Sequence, residues 1–235
     1  MTDNNLKRYH MLNSSSDRDG PATPVLSRLQ TAGIVAVVRV PSPDGVVAAC
    51  RALCRGGVRA VEITLTVPGA FALIAELAAE FGDDLLVGAG TVLEPEAARR
   101  SVDAGAQFIV SPVFDAAVVD YCRQTLVLSV PGALTPTEVV TAWQHGSALV
   151  KLFPGRVATP EYVRDLLGPL PAVRLFPTGG IDEAGAAAYL AAGAAVVGIG
   201  SRLMAPAAVA AGDTDAITAA AGRFAEVAAQ ARAGR

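Results

Sequence analysis

"SALVKLFPG", residues 147–155, is an apolar run interrupted by a single lysine, Lys151. A short run of this kind, rich in Val, Leu and Phe, reads as a strand covered on both faces, as strands of parallel sheets are. Seven similar runs share the chain with its "LVKLF" core (149–153): "IVAVVRV" (34–40), "RAVEITL" (59–65), "LLVGAG" (85–90), "QFIVS" (107–111), "LVLSV" (126–130), "VRLFP" (173–177) and "AVVGIG" (195–200). They recur at roughly 20 to 25 residues, and the segments between them, such as "PDGVVAACRALCRGG" (43–57) and "EPEAARRSVDAGA" (94–106), carry helical periodicity. Start signals stand at Asp44, at 94–96, at 135–138 and at Asp182. Stop signals stand at Gly56-Gly57, Gly82, Gly105, Gly146 and Gly193.

Strand and helix alternating eight times predict an α/β fold, a (β/α)8 TIM barrel forming one domain over residues 24–235. An open doubly wound sheet is the alternative. It calls for a glycine-rich dinucleotide turn after the first strand, and "VRVPSPDG" (38–45) is not one. Residues 1–23 are polar, lack an apolar signal-peptide core and read as a disordered or loosely attached tail.

Alternation along the strands sorts their side chains. Val61, Ile63 and Leu65 share one face, and Glu62 and Thr64 the other; Val150 and Leu152 oppose Leu149, Lys151 and Phe153. Ala36, Val38 and Val40 oppose Val37 and Arg39. With the apolar sets turned to the helices, Arg39, Glu62 and Lys151 are expected to point inward near the C-terminal strand ends, where barrel active sites form.

The chain has seventeen arginines but only two lysines, Lys7 and Lys151. Wherever a positive charge suffices, the sequence uses Arg; Lys151 is the exception inside the folded region. Arg is never deprotonated in a protein, whereas a buried lysine can become a nucleophile. One reading of Lys151 is a structural ion pair with Glu62, which adds little net stability. The other is a Schiff-base amine attacking a carbonyl substrate, with Glu62 as general acid/base and Arg39 as a carboxylate clamp. "PTGGID" (177–182) and "GIGSR" (198–202) follow the last two strands. They are either plain turns or a phosphate nest of backbone N–H groups, with Ser201 adding a hydroxyl. Thr91 in "GAGT" (88–91) either caps a turn or meets a substrate oxygen. Together these groups describe a phosphorylated keto acid as substrate.

Other classes fit poorly. A net charge of −3 argues against nucleic acid and gives no membrane-surface signal. The most apolar stretch, "AAAYLAAGAAVVGIG" (186–200), is too short to span a bilayer. Three cysteines, Cys50, Cys54 and Cys122, read as packing residues in a cytoplasmic protein, and two histidines give little support to a catalytic zinc. A phosphosugar isomerase or epimerase barrel would share the nest without needing the lysine. A non-catalytic sugar-phosphate-binding barrel would keep the pocket without turnover.

"GGVRAVEITLTVPGA" (56–70), "VGAGTVLEPEAARRSVDAGAQFIVSP" (87–112), "PGALTPTE" (131–138), "VKLFPG" (150–155), "FPTGGI" (176–181) and "GIGS" (198–201) resemble, in order and spacing, the class I 2-keto-3-deoxy-6-phosphogluconate (KDPG) aldolases, which include 4-hydroxy-2-oxoglutarate aldolases. The resemblance runs from about residue 26 to the C-terminus. It implies a homotrimeric (β/α)8 barrel with neither metal nor cofactor, Lys151 as the Schiff-base lysine and Glu62 as acid/base. It further implies Arg39 and Thr91 at the pyruvate end, Pro112 and Phe153 lining the pocket, and Gly179, Gly180, Gly200 and Ser201 at the phosphate. Thr66 stands where some members carry Arg, which makes it the expected specificity position among gluconate, galactonate and hydroxyglutarate substrates.

Overall fold

The computed structural model describes residues 23–233. Helix α1 (Thr23–Ala32) leads into β1 (Ile34–Val38), α2 (Val46–Arg55), β2 (Ala60–Thr64), α3 (Ala70–Phe81), β3 (Leu86–Gly90), α4 (Pro95–Asp103), β4 (Phe108–Val110), α5 (Ala116–Gln124) and β5 (Leu128–Val130). The chain continues through β6 (Gly132–Ala133), α6 (Pro136–Gln144), β7 (Val150–Leu152), α7 (Pro160–Leu167), β8 (Leu175–Pro177), α8 (Glu183–Ala191), β9 (Val197–Ile199), α9 (Pro206–Ala211) and α10 (Thr214–Ala233). The tail expected over 1–23 lies outside the described residues except for Thr23, which opens α1.

Each of the eight apolar runs contains a strand, and every strand pairing is parallel. The hydrogen-bonded ladder differs from the single closed sheet expected. A six-stranded sheet runs β5-β4-β3-β2-β1-β9, and a three-stranded sheet runs β6-β7-β8. The division falls at Pro131, which separates β5 from β6 and has no N–H to continue a ladder. Its carbonyl still accepts from the Lys151 N–H at 2.9 Å. On the far side, an isolated parallel bridge, Thr178↔Gly198, joins the end of β8 to β9.

Side chains alternate as the pattern requires. Ala36, Val38, Val61, Ile63, Val150 and Leu152 belong to a large apolar cluster shared with helix residues such as Leu53, Leu73 and Trp143. A second cluster gathers Val35, Ala60, Leu86, Phe108, Leu149 and Phe176, so the inner faces of the two sheets curl around one interior. Leu26 and Leu29 of α1 join that second cluster. Four of its strand residues, Ala60, Leu86, Phe108 and Leu128, are the first of their strands, so α1 stoppers the N-terminal end of the interior. The sequence reading assigned α1 no role.

Local signals account for the element ends. Thr135 and Glu138 form a reciprocal capping box on α6, and the Asp182 carboxylate accepts the Gly185 N–H at 2.9 Å on α8. Asp44 is not the cap of α2; Gly45 holds that position, and the Asp44 carboxylate accepts from the Ser42 hydroxyl at 2.7 Å. "LVLSV" begins two residues too early as a strand. Leu126 has φ 61° and is exposed, ending the turn after α5 in the left-handed region. All three cysteines are free thiols, and burial raises Cys50 and pushes Cys122 up to about 12.

Candidate active site

Lys151 occupies the middle of β7, paired in register with Gly132 on one side and Phe176 on the other. It is 3% exposed. Its Nζ lies 3.4 Å from Glu62 Oε1 and 5.4 Å from the centre of the Phe153 ring. Glu62, from β2, is wholly buried, and its other oxygen, Oε2, has no hydrogen-bond partner. An ionisable pair sealed at this depth, with an acceptor left unused, is costly as architecture and suited to handling protons.

Glycine makes room for the carboxylate. A Cβ on Gly90, at the end of β3, would collide with Glu62 Oε1 and lie 2.6 Å from its Cδ. Thr91, the next residue, takes φ 60°, one of two positive values for non-glycine residues among those described. A non-glycine residue in that region is strained, and such strain concentrates at functional turns.

Above Lys151 opens a cavity of about 560 Å³, walled by Arg39, Phe153, Thr178, Gly179, Gly180, Gly200 and Ser201 among others. The structure therefore brings the lysine, the predicted clamp and all four predicted phosphate-end residues to one space. Glu62 is not on its wall; it stands behind the lysine. Arg39 is placed differently from expectation. It follows β1 by one residue and is exposed at the mouth, because the strand has ended and the guanidinium stays in solvent.

Thr66, Thr91 and Pro112 follow β2, β3 and β4 at the same end of the sheet but do not wall the cavity. Pro112 packs on Gly132, where an added Cβ would strike the Pro112 backbone. Thr66 is exposed, and its hydroxyl lies 2.8 Å from that of Thr64. The Thr64 hydroxyl donates to the Val38 carbonyl at 2.9 Å, so in the pair Thr66 is the donor and its oxygen remains free as an acceptor.

The family model for KDPG and KHG aldolase matches residues 25–220. The chain belongs to that family. It is therefore an aldehyde-lyase. The aldolase is 37% identical to a 2-dehydro-3-deoxy-phosphogluconate aldolase of Treponema pallidum, over 83% of this chain and 93% of the relative. It is 34% identical to a 2-dehydro-3-deoxy-6-phosphogalactonate aldolase of Escherichia coli, over 72% of this chain and 83% of the relative. Among solved structures it resembles a Legionella pneumophila KDPG aldolase with pyruvate captured as a covalent carbinolamine. That match has a TM-score of 0.80 at 26% identity and covers 87% of this chain and 98% of the other.

Two arginines of the aldolase's cavity escaped the sequence reading, Arg156 and Arg202. Arg202 sits inside the quoted "GIGSR" (198–202) and Arg156 directly follows "VKLFPG" (150–155), so the positions were in view without a role. Among the described residues no group of three or more His, Cys, Asp or Glu is gathered to hold a metal ion, and no helix is long and apolar enough to cross a membrane.

Proposed function

We propose that the chain cleaves 2-keto-3-deoxy-6-phosphogluconate to pyruvate and glyceraldehyde 3-phosphate through a Schiff base on Lys151. The observation that carries this reading is the buried Lys151 amine 3.4 Å from a buried carboxylate that has one oxygen unpartnered. Lys151 adds to the C2 ketone, and loss of water leaves an iminium. The iminium draws the electron pair of the C3–C4 bond as that bond breaks and the C4 hydroxyl gives up its proton. Glu62 takes the proton through a water, consistent with its place behind the lysine. Glyceraldehyde 3-phosphate departs, the enamine is protonated at C3, and hydrolysis frees pyruvate and the lysine. Arg39 holds the substrate carboxylate, with Thr91, Pro112 and Phe153 around the pyruvate end. The amides near Gly179, Gly180, Gly200 and Ser201 hold the phosphate.

This route uses no metal or cofactor. The same reading takes the two curled sheets, bridged at Thr178 and Gly198, as one (β/α)8 barrel domain over 24–235 behind the tail, in a cytoplasmic homotrimer. Exposed Leu93, Val113, Leu126 and Val157 offer apolar surface for assembly, and free thiols suit a reducing compartment.

Borohydride reduction in the presence of pyruvate is expected to leave a stable adduct on Lys151, located by peptide mass, and Lys151→Arg is expected to abolish both adduct and turnover. An unmodified Lys151 would sink the reading. Cleavage of the C4 epimer, the galactonate-derived substrate, is a second reading favoured by the 34% identity to the galactonate-type relative. We assign the choice between the epimers to the free acceptor on Thr66, and parallel assays of the two substrates decide it.

A further inference from the structure

The cavity above Lys151 carries four basic side chains, Lys151, Arg39, Arg156 and Arg202, and no carboxylate on its wall. The lysine and Arg39 belong to the reacting end. Arg156 and Arg202 lie with Gly179, Gly180, Gly200 and Ser201, and among the described residues neither guanidinium has a hydrogen bond or ion pair.

Arg156 rests on the glycine turn. A Cβ on Gly180 would collide with its Nε and lie 2.6 Å from its Cγ, and Gly180 itself has φ 73°. The glycine thus serves two needs, a left-handed backbone and a flat bed for the arginine. The segment bearing Arg156 is pinned on both sides. The Gly155 N–H donates to the Thr178 carbonyl at 2.7 Å. The buried Tyr189 hydroxyl of α8 lies 2.6 Å from the Gly155 carbonyl and 2.8 Å from that of Ala158, sharing one proton between them. The backbone that carries Arg202 is held by the next turn, where the N–H groups of buried Leu203 and Met204 both reach the Gly200 carbonyl, at 2.9 and 3.0 Å. The amides of Gly180 and Ser201 make no hydrogen bond among the described residues, so unpaired N–H donors lie beside both guanidinium groups.

We propose that Arg156 and Arg202 are further substrate-binding residues, a two-guanidinium clamp that grips the phosphate ester and makes the aldolase select a phosphorylated keto acid over one lacking that group. The inference rests on the reading of this cavity as the Schiff-base site. A guanidinium fork matches phosphate oxygens in pairs, and two forks with two amides match a dianion that backbone donors alone hold less tightly.

The test uses Arg156→Met, Arg202→Met and the corresponding lysine variants of the full chain. The probes are glycerol 3-phosphate, an unreactive phosphate monoester, in calorimetry, and the keto acid with and without its phosphate in turnover. Each methionine variant is expected to weaken glycerol 3-phosphate binding about tenfold or more, the scale of a lost charge-assisted hydrogen bond, with lysine restoring part of it. The kcat/KM loss on the phosphorylated substrate is expected to exceed that on the phosphate-free one by a similar factor, through KM. Binding within twofold of the parent, or equal losses on both substrates, would overturn the clamp. Adduct formation with pyruvate in the variants reports that the site is folded. A parent protein that binds glycerol 3-phosphate through these arginines yet forms no pyruvate adduct would overturn the aldolase reading and leave the phosphate site standing.

Discussion

Gly90 fixes where the Glu62 carboxylate sits, since a Cβ at that position would overlap it. Gly90→Ala is expected to push Glu62 off its line to Lys151 and lower kcat about 100-fold, the scale of an ångström of misplacement at a reacting centre. Borohydride trapping should still label Lys151, and steady-state kinetics with the phosphorylated substrate reads the loss; a variant within threefold of the parent would mean that Glu62 is not held in a critical position. At this scale the sequence spoke clearly where a residue type was rare. One lysine in a folded region otherwise supplied with arginine marked Lys151, and strand parity marked Glu62 as its neighbour. It was silent on Arg156 and Arg202, because in a chain with seventeen arginines nothing distinguishes an arginine that lacks a partner from one lying on the surface. It also placed Arg39 too deep, since parity continues on paper past the residue where the strand stops.

Among elements, α6 shows how a local signal becomes stability. Glu138 accepts from the backbone N–H groups of Thr135 and Leu134 at 2.8 and 2.9 Å, and these donors, Thr135 first, hold its carboxyl below the ordinary value. A group with a depressed folded-state pKa stabilises the fold above its unfolded value, and that contribution is lost as pH falls through the folded one. Glu138→Gln should therefore lower the melting temperature at neutral pH, and the gap to the parent should close as the pH falls below the ordinary carboxylate value and through the depressed folded one. Thr135→Ala, which breaks the other half of the box, should cost about 1 kcal/mol by chemical denaturation. A gap that stays constant with pH would remove the charge from the account. The capping box was legible because its spacing is fixed within four residues. The break at Pro131 and the turn at Leu126 were not, because both depend on which partner strand lies alongside, and a run of apolar residues does not carry that information.

For the whole molecule, eight repeats of strand and helix made the α/β class legible, and alternation made the inner and outer faces legible. The docking of α1 was not, since "TPVLSRLQTA" (23–32) offers only two inward leucines, Leu26 and Leu29, and its seat exists only once both sheets have curled. That helix leaves a flask stoppered at its base, with the Lys151 amine at the bottom and the arginines round the neck. Both reactants of the proposed reaction then share the mouth of that cavity. In the condensation direction pyruvate has to pass before the aldehyde phosphate settles, and an aldehyde that arrives early bars the way. Initial rates of synthesis should accordingly fall at high glyceraldehyde 3-phosphate and recover as pyruvate is raised; rates that simply saturate would mean that the small keto acid finds another entrance.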